Sequence, residues 1–170
     1  NPVLLIPLEY LQREGVCVLI IIGDATPQDL DGIMEVENES FDRPYPRGLL
    51  KFYLALSGNL FIVARDGKRV IGYAVGIIQR GTVGHIVSIA VLREFRGKGI
   101  GSSLLAELEG RLMENGALYF DLETSVLWEA KEFYFRRGYY VVRFLRSYYG
   151  GKEHGLLMMK PAKSYTREFE

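Results

Sequence analysis

The stretch REFRGKGIGSSLLAEL, Arg93 to Leu108, sets glycines at positions 97, 99 and 101, places Arg96 and Lys98 among them, and runs directly into leucine. Glycine is a poor helix former, costing about 1 kcal/mol against alanine at each helical position. Three of them where a helix should nucleate therefore need a compensating use. A helix start presents N–H groups with no partner inside the helix and about half a positive charge. Without Cβ atoms in the way, an anion can approach those amides closely. Successive amides in such a turn form an anion nest, and Arg96 and Lys98 add charge. The pattern predicts a diphosphate cradle over Gly97, Lys98, Gly99, Ile100, Gly101 and Ser102. It is neither a P-loop, since no Lys-Ser or Lys-Thr follows the last glycine, nor a dinucleotide fingerprint, which would need glycine at Leu104.

After the cradle, Leu104, Leu105, Leu108 and Leu112 share one face of a helix, and Asn115-Gly116 is its stop signal. Before the cradle, NLFIVARDGKRVIGYAVGIIQRGTVGHIVSIAVL reads as a meander of three strands. Its turns fall at Asp66-Gly67 and Arg80-Gly81. Farther upstream, Val16–Ile22 reads as a strand, and Thr26, Pro27 and Asp29 as a helix N-cap, first position and first turn. FDRPYPRG breaks that helix, and LLKFYLALSG predicts a short second one. Downstream, ALYFDLETS is a strand, VLWEAKEFYFRRG a short helix ending at Gly138, and YYVVRFL and GLLMMKP are the last two strands. The order β-α-α-β-β-β-α-β-α-β-β predicts one α/β domain with a mixed, mainly antiparallel sheet and helices on both faces. It places that domain at residues 16–161, after an N-terminal extension (1–15) and before a tail (162–170).

Lys plus Arg and Asp plus Glu are equal at 21 each in the 170 residues, so no net field draws nucleic acid or an anionic membrane. The longest apolar run, Val16–Ile22, is far short of the roughly 20 residues that cross a bilayer. Residues 1–12 hold two prolines and lack the basic start of a secretory signal. The single cysteine, Cys17, excludes an internal disulfide and reads as buried packing. With two histidines it gives no metal cluster. These features predict a cytoplasmic protein with no metal, nucleic-acid or membrane partner.

GHIVSIAVLREFRGKGIGSSLL resembles motif A of the GNAT superfamily of acetyl-CoA-dependent N-acetyltransferases, a strand followed by R/Q-x-x-G-x-G/A, met here by Arg96, Gly99 and Gly101. The resemblance implies acetyl-CoA as co-substrate, its diphosphate on the amides from Gly97 to Ser102 and its pantetheine arm paired with the backbone of Ile89, Ala90 and Val91. Such pairing is physically sound, because an arm with two amides can join a strand edge. Within the superfamily the chain is most similar to protein N-terminal acetyltransferases, including the ribosomal-protein alanine acetyltransferase and its archaeal relatives. GHIVSIAV, LETSVLWEAKEFYFRRGY and the tyrosine pair of RSYYGGKEHGLLM carry that likeness. Three departures stand out. Arg93 replaces a frequent proline. The span from Glu123 to Tyr134 is one residue shorter than in the bacterial enzyme. Leu127-Trp128 stands where a cofactor-touching Asn is common, which leaves that contact unsupported.

The resemblance implies direct attack in a ternary complex, with Glu123 as base, Tyr134 as the acid for the leaving thiolate, and a backbone N–H near Val91 for the oxyanion. The chemistry agrees. A peptide α-amine, with pKa about 7.7–8.0, is partly neutral near pH 7, whereas a lysine amine at about 10.4 is not, so a modest base acting through water suffices. Asp121 shares the Glu123 face and is the alternate base. His85 can take a proton near neutral pH but falls at the end of its strand away from the cradle, and His154 lies in a glycine-rich loop. Glu37, Phe41 and Tyr45 are expected along one wall of a peptide groove, with Glu37 near the amine, and Tyr148 and Tyr149 along the other. Against these stand ordinary readings: a solvated strand residue for Glu123, core packing for Tyr134, an exposed helix face for the acidic run, and a hairpin loop for the tyrosines. Two other functions stay open: a small-amine or lysine acceptor, and a non-catalytic coenzyme A module. So does a homodimer or an auxiliary subunit.

Overall fold

The computed structural model describes residues 4–5, 12–13, 16–17, 19–148 and 153–162. Its elements run β1 (Leu4–Leu5), β2 (Gln12–Arg13), β3 (Val16–Cys17), β4 (Ile20–Asp24), α1 (Leu30–Ser40), α2 (Arg47–Leu56), β5 (Phe61–Asp66), β6 (Arg69–Gln79) and β7 (Val83–Val91). Then follow α3 (Ile100–Glu114), β8 (Tyr119–Ser125), α4 (Trp128–Phe135), β9 (Tyr140–Leu145) and β10 (Gly155–Pro161). From β4 onward this is the order expected, a mixed α/β fold. Upstream it differs. The run Val16–Ile22 is not one strand: Val16 and Cys17 pair with Arg13 and Gln12, and β4 starts only at Ile20. An apolar run marks burial but carries no register, so pairing partners decide where a strand begins.

The chain forms two compact units, Asn1–Ile77 with Ser88–Arg111, and Ile78–Val87 with Leu112–Glu170. In the first, the strands neighbour one another in the order β1-β4-β5-β6-β7. β4 runs antiparallel to β1 and to β5, and β5 antiparallel to β6 with a bulge between Ala64 and Arg65. The turns fall where expected, with left-handed backbone at Gly67, Arg80 and Gly81. Entry to α1 also follows the sequence. Pro27–Asp29 form a tight 3-10 turn, and the Asp29 carboxylate accepts the Thr26 N–H at 2.7 Å and its hydroxyl at 3.1 Å. Arg65 pairs with the same carboxylate at 2.5 Å, fixing the helix start to β5.

The core of this unit depends on close approach. A Cβ on Gly32 of α1 would stand 2.8 Å from the Val70 Cβ, and one on Gly72 of β6 would meet the Ala90 carbonyl and the Leu104 side chain at 3.1 Å. Missing side chains thus let α1 and α3 reach β6. Leu104, Leu105 and Leu108 of α3 are buried as the helical face predicted. Arg111, at the unit's end, donates to Glu107 and to the Asn59 carbonyl, each at 2.9 Å, and pairs with Asp24 at the end of β4. One carboxyl lies deep inside: Glu37 is 1% exposed. Its oxygens accept the Tyr45 N–H at 2.8 Å and the Tyr73 hydroxyl, which also shares a 2.8 Å bond with Ser88.

In the second unit, β7 pairs parallel with β8 from Val83↔Tyr119 to Ile86↔Leu122. β8 runs antiparallel to β10, and β10 to β9, with a bulge between Leu157 and Met158. One parallel and one antiparallel neighbour for β8 make the sheet mixed. Leu112, Phe120, Leu122, Tyr139 and Met158 are buried here. Past the stop at Gly116, with φ +98°, the Ala117 N–H returns to the Leu112 carbonyl at 2.9 Å and closes α3. No helix among the described residues is long and apolar enough to cross a membrane.

Two stability predictions follow from this packing. Gly32→Ala should lower stability by about 1–3 kcal/mol through overpacking against Val70. Gly110→Ala, in α3 with nothing within 4 Å of the added methyl, should raise it by about 0.5–1 kcal/mol. Urea midpoints measure both. Burial pushes the Glu37 carboxyl above its ordinary 4.5, with the Tyr73 and Tyr45 bonds drawing it partly back. A carboxyl raised in the folded state contributes stability that is fully present below its unfolded pKa and lost as pH rises through the folded one. The stability of the wild type relative to Glu37→Gln should therefore fall as pH rises from about 4.5, in urea titrations at a series of pH values.

Candidate active site

The end of β7 is held in the sheet by the Leu92 N–H on the Ile71 carbonyl at 2.8 Å. Arg93–Phe95 then make one 3-10 turn, with Phe95 buried as its anchor. Gly97 and Gly99 follow at φ +74° and +82°, conformations that a residue with a Cβ rarely adopts. These two residues turn the chain sharply enough for α3 to begin at Ile100, itself 1% exposed. The Ser103 N–H reaches the Gly99 carbonyl at 3.0 Å and closes the first helical turn. A Cβ built on Gly97 or Gly99 would meet nothing within 4 Å, so the space above the turn is open. A phosphate group therefore fits against this backbone. Gly101 and Ser102, on the first turn of α3, are half-buried.

The two cations differ in use. Arg96 folds back along the surface: its Nε donates to the Val91 carbonyl at 2.8 Å and a terminal nitrogen to the Ser40 hydroxyl at 3.1 Å. It braces the turn against β7 and the end of α1. The Lys98 ammonium stands 5.7 Å from the centre of the Phe95 ring. Ile89, Ala90 and Val91 prolong β7 beyond Ile86, its last residue paired with β8.

On the loop between α1 and α2, Phe41 and Tyr45 are 40% and 36% exposed. Glu37, expected along the same wall near the amine, is 1% exposed, and its two oxygens are engaged by Tyr45 and Tyr73. Neither Tyr73 nor Ser88 stood out in the sequence. Both sit in strand runs where nothing separates a hydrogen-bonded side chain from a packed one. Burial, with Glu37 alongside, pushes the Tyr73 phenol well above its ordinary 10.0.

In the second unit, Glu123 is exposed on β8 and accepts a hydrogen bond from the Tyr148 hydroxyl, so a tyrosine of the predicted loop meets the predicted base. Tyr149 lies outside the described residues. Parallel register sets His85 opposite Asp121, and their side chains join at 2.7 Å, each 18% exposed. Asp121 and Glu123 are two apart on β8, so His85, Asp121 and Glu123 share one face of the sheet. The sequence could not reveal this pairing, since strand register joins residues 36 positions apart. Tyr134 is half-buried on α4, its ring edge-on to Phe133 and Tyr139 at 5.1 and 5.6 Å. His154 accepts the Ser147 N–H at 2.9 Å and so fastens the base of the tyrosine loop.

The sequence profile of the Acetyltransferase (GNAT) family matches residues 30–145. An uncharacterised N-acetyltransferase of Methanocaldococcus jannaschii is 39% identical over 145 residues, 83% of this chain and 91% of that protein. A protein of Saccharolobus solfataricus named N-alpha-acetyltransferase is 30% identical over 155 residues, covering 82% of this chain and 92% of its own. Among solved structures, Chaetomium thermophilum Naa20 in complex with a bisubstrate analogue superposes with a TM-score of 0.75 at 28% identity, over 82% of this chain and 85% of that one. A profile covering most of the chain, relatives of nearly the same length, and a glycine turn open to a phosphate converge: this chain belongs to the GNAT family of acetyltransferases.

Proposed function

We propose that this acetyltransferase moves the acetyl group of acetyl-CoA to the α-amino group of protein N-termini. The observation that carries the proposal is the turn at Gly97 and Gly99, left-handed at both residues and open above, at the start of α3. Relatives named N-alpha-acetyltransferase, and Naa20 in complex with a bisubstrate analogue, support the acceptor class. The cofactor supplies an activated acetyl thioester. The amides from Gly97 to Ser102 hold its diphosphate, with Lys98 nearby as a counter-charge, while the backbone of Ile89, Ala90 and Val91 aligns the arm.

Glu123 takes a proton from the incoming α-amine, directly or through water, and its contact with Tyr148 fixes the carboxylate in one orientation. Tyr134, its ring clamped by Phe133 and Tyr139, supplies the proton the leaving sulfur needs. Phe41 and Tyr45 offer exposed aromatic surface to the first residues of the peptide. The 2.7 Å pair of His85 and Asp121 supports a second assignment of the base, with the imidazole relaying the proton on the Glu123 face.

Mass readout of acetylation on a panel of peptides, lysine-containing blocked peptides and polyamines tests the acceptor. Products on free α-amines are expected; products on polyamines or lysine alone would overturn the proposal. In the same preparation Gly99→Val should weaken acetyl-CoA binding at least about tenfold, because its side chain enters the phosphate space and its backbone is strained. Unchanged affinity in calorimetry would refute the cradle. Glu123→Gln should lower kcat about 10²–10⁴-fold with acetyl-CoA affinity retained. If His85→Gln produces that loss and Glu123→Gln does not, the base is the His85–Asp121 pair.

A further inference from the structure

Glu37 is a buried acidic residue, 1% exposed, and the roles assigned above do not use it. It sits on the last turn of α1, and its surroundings come from three other elements. One carboxylate oxygen accepts the Tyr45 N–H at 2.8 Å, in the loop between α1 and α2. The other accepts the Tyr73 hydroxyl of β6, which is linked at 2.8 Å to Ser88 of β7. Tyr73 is 0% and Ser88 9% exposed, so water does not compete for these bonds. Burying a carboxyl is expensive, and a leucine of similar size would fill the space without that cost. What leucine lacks is two acceptors set at a defined separation.

The Tyr45 N–H has a particular standing in its loop. Pro44 and Pro46 flank it, and proline has no N–H. In Pro44-Tyr45-Pro46 it is therefore the one backbone donor available to hold the segment. Held there, the Tyr45 backbone is fixed while its ring and that of Phe41 stay exposed. At the other end of the chain, Ser88 directly precedes Ile89–Val91.

From this geometry we infer that Glu37 is a positioning residue, a buried clip that sets the exposed Phe41–Tyr45 surface relative to β6 and β7 and thereby governs acceptor binding. The inference rests on the peptide-acceptor function proposed above, but the clip itself is a statement about the loop. Glu37 acts through Tyr45, not by touching the substrate.

The clip requires acceptor oxygens more than charge, and three variants separate it from a direct contact with the amine. Glu37→Gln keeps an oxygen for the Tyr45 N–H and presents an amide N–H to the Tyr73 oxygen, which still donates to Ser88, so both tethers persist without a carboxylate; Glu37→Leu removes both, and Tyr73→Phe removes the tether to β6 and β7. The first readout is native-state hydrogen exchange at the Tyr45 amide. Glu37→Leu should speed it by about tenfold or more, and Glu37→Gln should leave it near wild type. The second is steady-state kinetics on a peptide that the wild type acetylates. Glu37→Leu and Tyr73→Phe should raise the peptide KM about tenfold with kcat little changed and acetyl-CoA affinity retained, and Glu37→Gln should restore KM. Loss in Glu37→Gln as large as in Glu37→Leu would overturn the clip in favour of a charge on the amine, and unchanged Tyr45 exchange in Glu37→Leu would overturn it outright. If Glu37→Leu does not fold, Tyr73→Phe and Glu37→Gln carry the kinetic test. If the wild type acetylates no peptide, the proposed function fails, and the exchange measurement alone decides the clip.

Discussion

The step from β7 into α3 constrains the rest of this structure. The strand must end in the sheet at Leu92 and the helix must begin at Ile100. Both are met because Gly97 and Gly99 take left-handed backbone and because Arg96 folds back onto the Val91 carbonyl. A residue with a side chain at either glycine would strain the turn and fill the space above it. The stability lost to flexible residues here is offset by burial on either side, at Phe95 and Ile100. The same glycines that make the turn a weak helix start leave the space above it open.

A second theme is the use of buried polar groups as fasteners between distant segments. Asp29 joins the start of α1 to Arg65 of β5, Arg111 joins α3 to the end of β4, and Glu37 joins a proline-rich loop to two strands. Each group would be costly if unpaired, and each has its partners in place. Apolar packing at Gly32 and Gly72 draws the helices onto β6 without specifying where a loop should lie. The directional bonds supply that. In the second unit the same logic joins Tyr148 to Glu123 at the surface and the half-buried His85 to Asp121.

Much of the fold was legible in the sequence because local chemistry wrote it there. Turn residues marked the ends of the meander, the Thr26–Asp29 cap marked the first helix, and the leucine spacing marked the buried face of α3. Illegible parts had no local signal. Val16–Ile22 looked like one strand, yet pairing split it. Glu37 reads as a groove residue near the amine, with an exposed helix face as the ordinary alternative, and α1 turns it into the core.

The sequence by itself determined the element order from β4 onward and the glycine turn, since these depend on neighbours along the chain and on backbone freedom at single residues. Tertiary structure alone decided which polar groups meet: Glu37 with Tyr73 and Ser88, His85 with Asp121, Tyr148 with Glu123. Such pairs are set by strand register and helix rotation, in which a shift of one residue moves a side chain to the opposite face.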